Sequence, residues 1–342
     1  MILVAALPVG CRRVLAPSVS VERGERLLVI APHPDDETLG AGGLIQRVLA
    51  AHGTVRVVLV TAGDGYVEAV QHETGELRPR APEYVAYGER RLREARAAMR
   101  EFGHGRVSLE VLGFPDGGLA RLLRAHWRRD LPDRSPTTEA VHPPYPEALD
   151  RNVAYDGDDL RRELVRVLRE SRPTTVVFPD PLDRHPDHRA TGLFVLLALG
   201  DRLGQGARIP RLLAYLVHWP GWPPGWDAPR PAPDATQQPL ELPPNLPDRG
   251  LARIALPLSR AEVATKAAAL DRYASQREVL SSFLAAFVRR AEPFTVFTRA
   301  EVQSVGELIQ QPSALLETPN SGYARRKSMN PRSATRVVGS AG

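Results

Sequence analysis

At 342 residues the chain is long enough for one large or two small domains around a substantial core. Hydrophobic residues make up 43% of it, and no apolar run approaches the roughly eighteen residues of a membrane span, which excludes a channel or carrier and points to a soluble globular protein. The net charge of +5 is concentrated beyond Glu317, where Arg325, Arg326, Lys327, Arg332 and Arg336 stand without an acid; without those five, the 45 basic residues become 40 against 40 acidic ones. The body is formally neutral, so no nucleic-acid partner is expected, and residues 306–342 read as a disordered basic tail.

In chain order, residues 1–24 read as an N-terminal extension. Its apolar stretch, MILVAALPVGC, has no preceding positive charge and contains Pro8, so it is at most a degenerate export or lipoprotein signal. A cytoplasmic location is expected, with export or lipid anchoring as the alternative. Cys11 is the only cysteine and excludes an internal disulfide. Apolar, branched runs predict strands at 26–30, 55–61, 107–112, 174–178 and 212–217. Helical patterns fall between them at 39–51, 82–102, 157–171 and 187–203, and a later segment, 259–288, also reads as helical. This alternation predicts an α/β fold, a Rossmann-like, mainly parallel sheet with helices on both faces, occupying residues 25–305.

Two insertions interrupt the pattern. Residues 116–156 read as a loop over one rim of the sheet. Residues 220–247 hold ten of the 32 prolines and read as an extended surface excursion, with Trp219, Trp222 and Trp226 at its start. Those tryptophans are read first as pinning the loop to the body, and second as a stacking wall for a sugar ring.

Chemistry concentrates in two stretches, APHPDDE at 31–37 and HPDH at 185–188. Each directly follows a predicted strand, where an open α/β sheet collects its ligands. His33 and Asp36 lie three apart at a strand-to-helix junction, and His188 arrives from the fourth strand to complete a set of two histidines and one carboxylate. Such a set with an open position suits catalytic Zn²⁺, although Fe²⁺, Co²⁺ or Ni²⁺ also accept it. Asp35 is the candidate base. His185 is placed to steady a tetrahedral oxyanion and protonate a departing amine, and Asp187 to orient a histidine and fix its tautomer. The competing structural reading gives Asp36 or Glu37 a helix-capping role and the HPD triplets a role in turns.

APHPDDETLGAGG and DRHPDH resemble the paired signatures of the PIG-L/LmbE family of zinc-dependent N-acetylglucosaminide deacetylases. Further similarity appears at Arg91 and Glu94 in RRLREA, at LGFPDG around Asp116, and at KAAALDRYASQ from Lys266 to Gln276, so that it spans residues 27–294. The resemblance implies an LmbE-like fold and hydrolysis of an acetamide on a glucosamine-type sugar in a glycoside or glycolipid. It also implies zinc on His33, Asp36 and His188, Asp35 as base and His185 as electrophilic partner and acid. Arg91 would contact the substrate, against the alternative of one more charge on an exposed helix face, and Asp116 would line the pocket or start a turn. Pro32, before the motif histidine, leaves the ligands intact.

Two other classes compete with the hydrolase. A catalytically silent sugar-binding module on the same fold conflicts with the joint presence of ligands, base and HPDH histidine. A nucleotide-binding oxidoreductase rests on GAGG at 40–43, which does not fit G-x-G-x-x-G; these glycines instead predict close approach of a helix to the sheet. The expected partner is a small amino-sugar substrate.

Overall fold

In a computed structural model that describes residues 18–103, 105–227 and 234–308, the chain begins its sheet at β1 (Arg26–Ala31) and turns into α1 (Asp36–Ala50). There follow β2 (Thr54–Thr61), α2 (Val67–Thr74), α3 (Ala81–Gly103), β3 (Val107–Phe114), α4 (Leu119–Arg124) and α5 (Gly157–Ser171). The second half runs β4 (Thr175–Pro179), α6 (Pro186–Gly204), β5 (Arg211–Tyr215), β6 (Arg253–Pro257), α7 (Arg260–Leu270), α8 (Ala274–Ala285), β7 (Ala291–Phe297) and α9 (Arg299–Leu308). The seven strands form one sheet in the order β3-β2-β1-β4-β5-β7-β6. The first five are parallel, while β7 pairs antiparallel with both β5 and β6.

The continuous apolar runs of the central strands follow from burial on both faces. Leu27, Val29, Ala31, Val57 and Leu59 point into one core, which α1, α3 and α7 cover with residues such as Leu44, Leu92 and Val263. Their neighbours Leu28, Ile30, Val58 and Val60 point into the other, under α4, α5 and α6 with Leu122, Leu164 and Phe194. This period-2 division makes the α/β layers expected from the sequence, and each fully buried Val, Leu or Ile contributes roughly 1.5–3 kcal/mol. Helix starts are set by local chemistry. Asp156 accepts from Asp159 N at α5, Pro186 occupies the first turn of α6, and Ser259 and Glu262 form a capping box at α7.

The sequence reading and the structure differ in four places. The single helical segment expected over 259–288 is two helices, α7 and α8, separated by a turn that ends at Tyr273. β6 and β7 escaped because each contains a proline. Pro293 falls where β7 has run past the end of its pairing with β5, so its missing N–H interrupts no ladder. The rim insertion 116–156 is not wholly loop. It contains α4, whose Leu119, Leu122 and Leu123 are buried in the core under the sheet. Finally, the N-terminal extension joins the body before residue 25, since Val19 N donates to Ala255 O along the edge of β6 and Val19 is buried.

In the second insertion, Trp219 Nε1 donates to Asn245 Oδ1 and Trp222 Nε1 to Glu241 O, which closes the loop on itself, while both rings are buried in the core, Trp222 edge-on to Phe287 at 5.3 Å, and so tie the loop to the body. The GAGG glycines admit close contacts. A Cβ on Gly40 would lie 2.4 Å from Tyr215 Cγ on β5, and one on Gly43 2.4 Å from Leu258 Cδ2. Among the described residues no helix is long and apolar enough to cross a membrane. The apolar N-terminal stretch and most of the basic tail lie outside the described residues.

Candidate metal centre

The strand order reverses between β1 and β4, and both strands end at the same edge because they are parallel. The crevice beyond that switch point is where open α/β sheets bind ligands. The loop after β1 brings His33, Asp35 and Asp36 into it, and the loop and first turn of α6 after β4 bring Asp183, His185, Asp187 and His188. The loop after β3 adds Asp116, and the end of β5 adds His218. All except His185 and His218 are buried.

Asp36 sits at the middle. Its Oδ2 lies 3.1 Å from His33 Nδ1 and 3.1 Å from His188 Nε2, so this carboxylate stands between the two histidines expected as its fellow ligands. Behind each histidine stands a second carboxylate. Asp183 Oδ2 is 3.4 Å from His188 Nδ1, while Asp116 Oδ1 and Asp187 Oδ2 are 3.1 and 3.5 Å from His33 Nε2. Asp187 also accepts from Gly117 N and Leu119 N, and so ties the loop after β3 to α6.

The ionisation pattern follows from this crowding. Burial opposes charge on His188, but Asp36 and Asp183 overcome it and lift the ring to about 9. His33 rises in the same way, against burial, through Asp116, Asp187 and Asp36. Burial and the charges of His33 and His188 push His185 down to about 4. Its Nδ1 accepts from Asp187 N at 3.2 Å, which leaves Nε2 as the proton-bearing nitrogen of the neutral ring.

Three buried ring nitrogens, His33 Nε2 and both of His188, make no well-aligned hydrogen bond. Unpaired buried polar atoms are costly, and a cation that accepts lone pairs removes the cost. Ligand atoms gather within 4.8 Å of one another in three groupings: His33–His185–His188, Asp36–His188–His218 and His33–Asp116–Asp187. An imidazole-rich set with one central carboxylate, and carboxylates behind the rings, fits a divalent transition metal.

Asp35 occupies an uncommon backbone conformation, φ 116° and ψ −33°. Its N–H donates to Glu37 Oε2 at 3.1 Å and its carbonyl accepts from Thr38 N and Leu39 N, while Tyr273 OH and Thr38 Oγ1 donate to Glu37 Oε1. This buried cluster holds a strained turn in place. Burial pushes the Asp35 carboxyl up to about 8, with Arg91 acting in the opposite direction. Arg91 is only 4% exposed rather than on an outer helix face. Its guanidinium donates to Gly63 O, Pro34 O and, at 3.2 Å, Asp35 Oδ2.

The 172 residues from 28 to 199 match the family model PIG-L: GlcNAc-PI de-N-acetylase. The chain belongs to this family. Among curated PIG-L relatives, the chain is 29% identical over 205 residues to a 1D-myo-inositol 2-acetamido-2-deoxy-alpha-D-glucopyranoside deacetylase 2 of Saccharopolyspora erythraea, covering 59% of this chain and 62% of that one. It is 34% identical over 166 residues to a 1D-myo-inositol 2-acetamido-2-deoxy-alpha-D-glucopyranoside deacetylase of Mycobacterium avium, covering 48% and 47%. The chain thus spans about half to three-fifths of the length of these relatives. Among solved structures, an N,N'-diacetylchitobiose deacetylase from Pyrococcus horikoshii aligns over 80% of this chain and 84% of its own, with 18% identity and a TM-score of 0.46.

Two site residues escaped the sequence reading of this PIG-L chain. Asp183 stands in DRHPDH two residues before His185, but its place behind His188 depends on how the loop folds back. His218 follows the apolar run of β5, and a histidine just past a buried strand on the site edge was the available signal.

Proposed function

We propose that the protein is a zinc-dependent hydrolase that removes the acetyl group from an N-acetylglucosamine-containing glycoside or glycolipid, releasing acetate and a free amine. The observation that carries this reading is the convergence of His33, Asp36 and His188 at the switch point, with Asp35 and His185 beside them, in a chain of the PIG-L family. His33, Asp36 and His188 would hold the metal, which when bound supplies Lewis acidity toward the amide carbonyl and makes water a nucleophile at neutral pH.

The chain's own residues do the rest. Asp35 takes the proton of the attacking water. Arg91 aims it by gripping both the carboxylate and the Pro34 carbonyl. His185, its tautomer set by Asp187 N, donates from Nε2 to the oxygen of the tetrahedral adduct, and the proton gained from water ends on the departing amine. Asp116, against His33 Nε2 and Gly65 N, lines the same pocket and is the candidate for a sugar hydroxyl, with Arg91 beside it. The relatives' names make N-acetylglucosaminyl-inositol the first substrate to try.

Zn²⁺-loaded protein offered N-acetylglucosamine linked to inositol, malate, lipid and oligosaccharide is expected to release acetate and amine from at least one. Release from none of them, by protein shown to bind the metal, contradicts the reading.

A further inference from the structure

We propose that Trp226 and Phe283 form a stacking subsite for the aglycone of the substrate, and that this aglycone is a polyhydroxylated six-membered ring, a second sugar or a cyclitol. The inference rests on the deacetylase reading above and deepens it. Of the three tryptophans at the start of the second insertion, Trp219 and Trp222 are 7% and 4% exposed and belong to the core, whereas Trp226 keeps part of its ring open. The indole N–H groups divide in the same way. Those of Trp219 and Trp222 are bonded within the loop, while Trp226 Nε1 is buried and lacks a hydrogen-bond partner among the described residues.

A row of rings leads from the reacting centre to Trp226. His185, which the reading above places against the amide, lies 5.1 Å from His218. His218 stacks on Phe283 at 5.4 Å with planes 10° from parallel, and Trp226 stands edge-on to Phe283 at 6.0 Å and 83°. None of the four is fully buried, so the aromatic surface is continuous with the crevice at the metal centre. It is also fastened in place. The buried guanidinium of Arg289 donates to Pro224 O, two residues before Trp226, to Ala235 O further along the same insertion, and to Ala286 O at the end of α8, the helix that carries Phe283. One cation thus holds the segment with Trp226 against the helix with Phe283, and a wall placed before binding spares the cost of ordering it. A sugar or cyclitol ring has an apolar C–H face for the aromatic rings and a hydroxyl rim for the unpaired indole N–H. An alkyl chain would leave that donor without a partner, which is why the occupant is a ring.

The test compares Zn²⁺-loaded wild type with Trp226→Leu, which removes the aromatic face, and Trp226→Phe, which keeps a face and loses the N–H. Turnover is measured on the methyl and octyl glycosides of N-acetylglucosamine, on N-acetylglucosaminyl-inositol and on N,N'-diacetylchitobiose, and binding of the four corresponding free amines by calorimetry. Trp226→Leu is expected to raise KM for the inositol glycoside or the chitobiose roughly 3- to 10-fold with kcat unchanged, to leave the methyl and octyl glycosides at wild-type values, and to lose more than Trp226→Phe. A loss confined to the inositol glycoside assigns a cyclitol, and one confined to chitobiose a second sugar. An unchanged KM for both ring-bearing glycosides overturns the proposal, as does an equal loss on the methyl or octyl glycoside in Trp226→Phe. Should the wild type cleave none of the four, the deacetylase reading fails by itself, and calorimetry decides the subsite: ring-bearing amines bound 3- to 10-fold more weakly by Trp226→Leu support it, and unchanged binding removes it.

Discussion

Asp183 is 3.4 Å from one nitrogen of His188 while the other nitrogen faces Asp36, so the carboxylate orients the ring that Asp36 shares. Asp183→Asn is therefore expected to weaken Zn²⁺ binding by about 10- to 100-fold, read by chelator competition; unchanged affinity would show that His188 is held by packing alone. Asp35 makes the opposite prediction. Asp35→Asn should retain Zn²⁺ yet lower turnover by roughly 10² to 10⁴, and a variant that turns over at the wild-type rate removes Asp35 as the base. The two turns APHPDDE and HPDH made the central residues legible because their chemistry lies within a few consecutive positions. Arg91 was less so. A run of arginines on a long helix does not reveal that one of them is buried against the backbone of two loops, and Asp183 and His218 acquire their meaning only across neighbouring strands.

At the scale of elements, α1 carries the centre on its N-terminus and is held from its middle. Glu292 of β7 accepts from Gly43 N and Leu44 N, and Lys266 of α7 donates to Leu39 O and to Glu292. Both side chains are only 1% exposed, so the pair stands in for helix hydrogen bonds where α1 meets β7 and α7. Removing one partner leaves a buried charge. Lys266→Met is expected to destabilise the protein by about 3–5 kcal/mol, seen as a lower denaturant midpoint, and a shift within error would contradict the role given to the pair. Gly40→Ala drives a Cβ into the Tyr215 ring and is expected to destabilise by about 1–3 kcal/mol in the same assay. The close approach was legible in GAGG. The ion pair was not, because it joins α7 to β7, the very strand whose proline hid it, and because the turn dividing α7 from α8 exists to bring Tyr273 onto Glu37.

At the scale of the molecule, the parallel strands β1 to β5 were readable from their apolar runs, and with them the edge on which the site lies. The antiparallel pair β7 and β6 was not, since each strand carries a proline. The division of labour follows from this layout. The centre belongs to the parallel core, while the proline-rich excursion is fastened through Trp219 and Trp222 and brings Trp226 to within 6.0 Å of Phe283, the ring that stacks on His218. The basic tail carries none of the residues in the centre, so truncation after Glu317 is expected to leave turnover unchanged, and a loss of activity would give the tail a part in the site. The most direct measurement is acetate and amine release from N-acetylglucosaminyl-inositol and the related glycosides by protein carrying stoichiometric Zn²⁺, before chelation, after it, and after the metal is restored. Release that disappears on chelation and returns with Zn²⁺ is predicted, whereas Zn²⁺-loaded protein that cleaves none of them, or cleavage that survives complete removal of the metal, would contradict a metal-dependent deacetylase built on His33, Asp36 and His188.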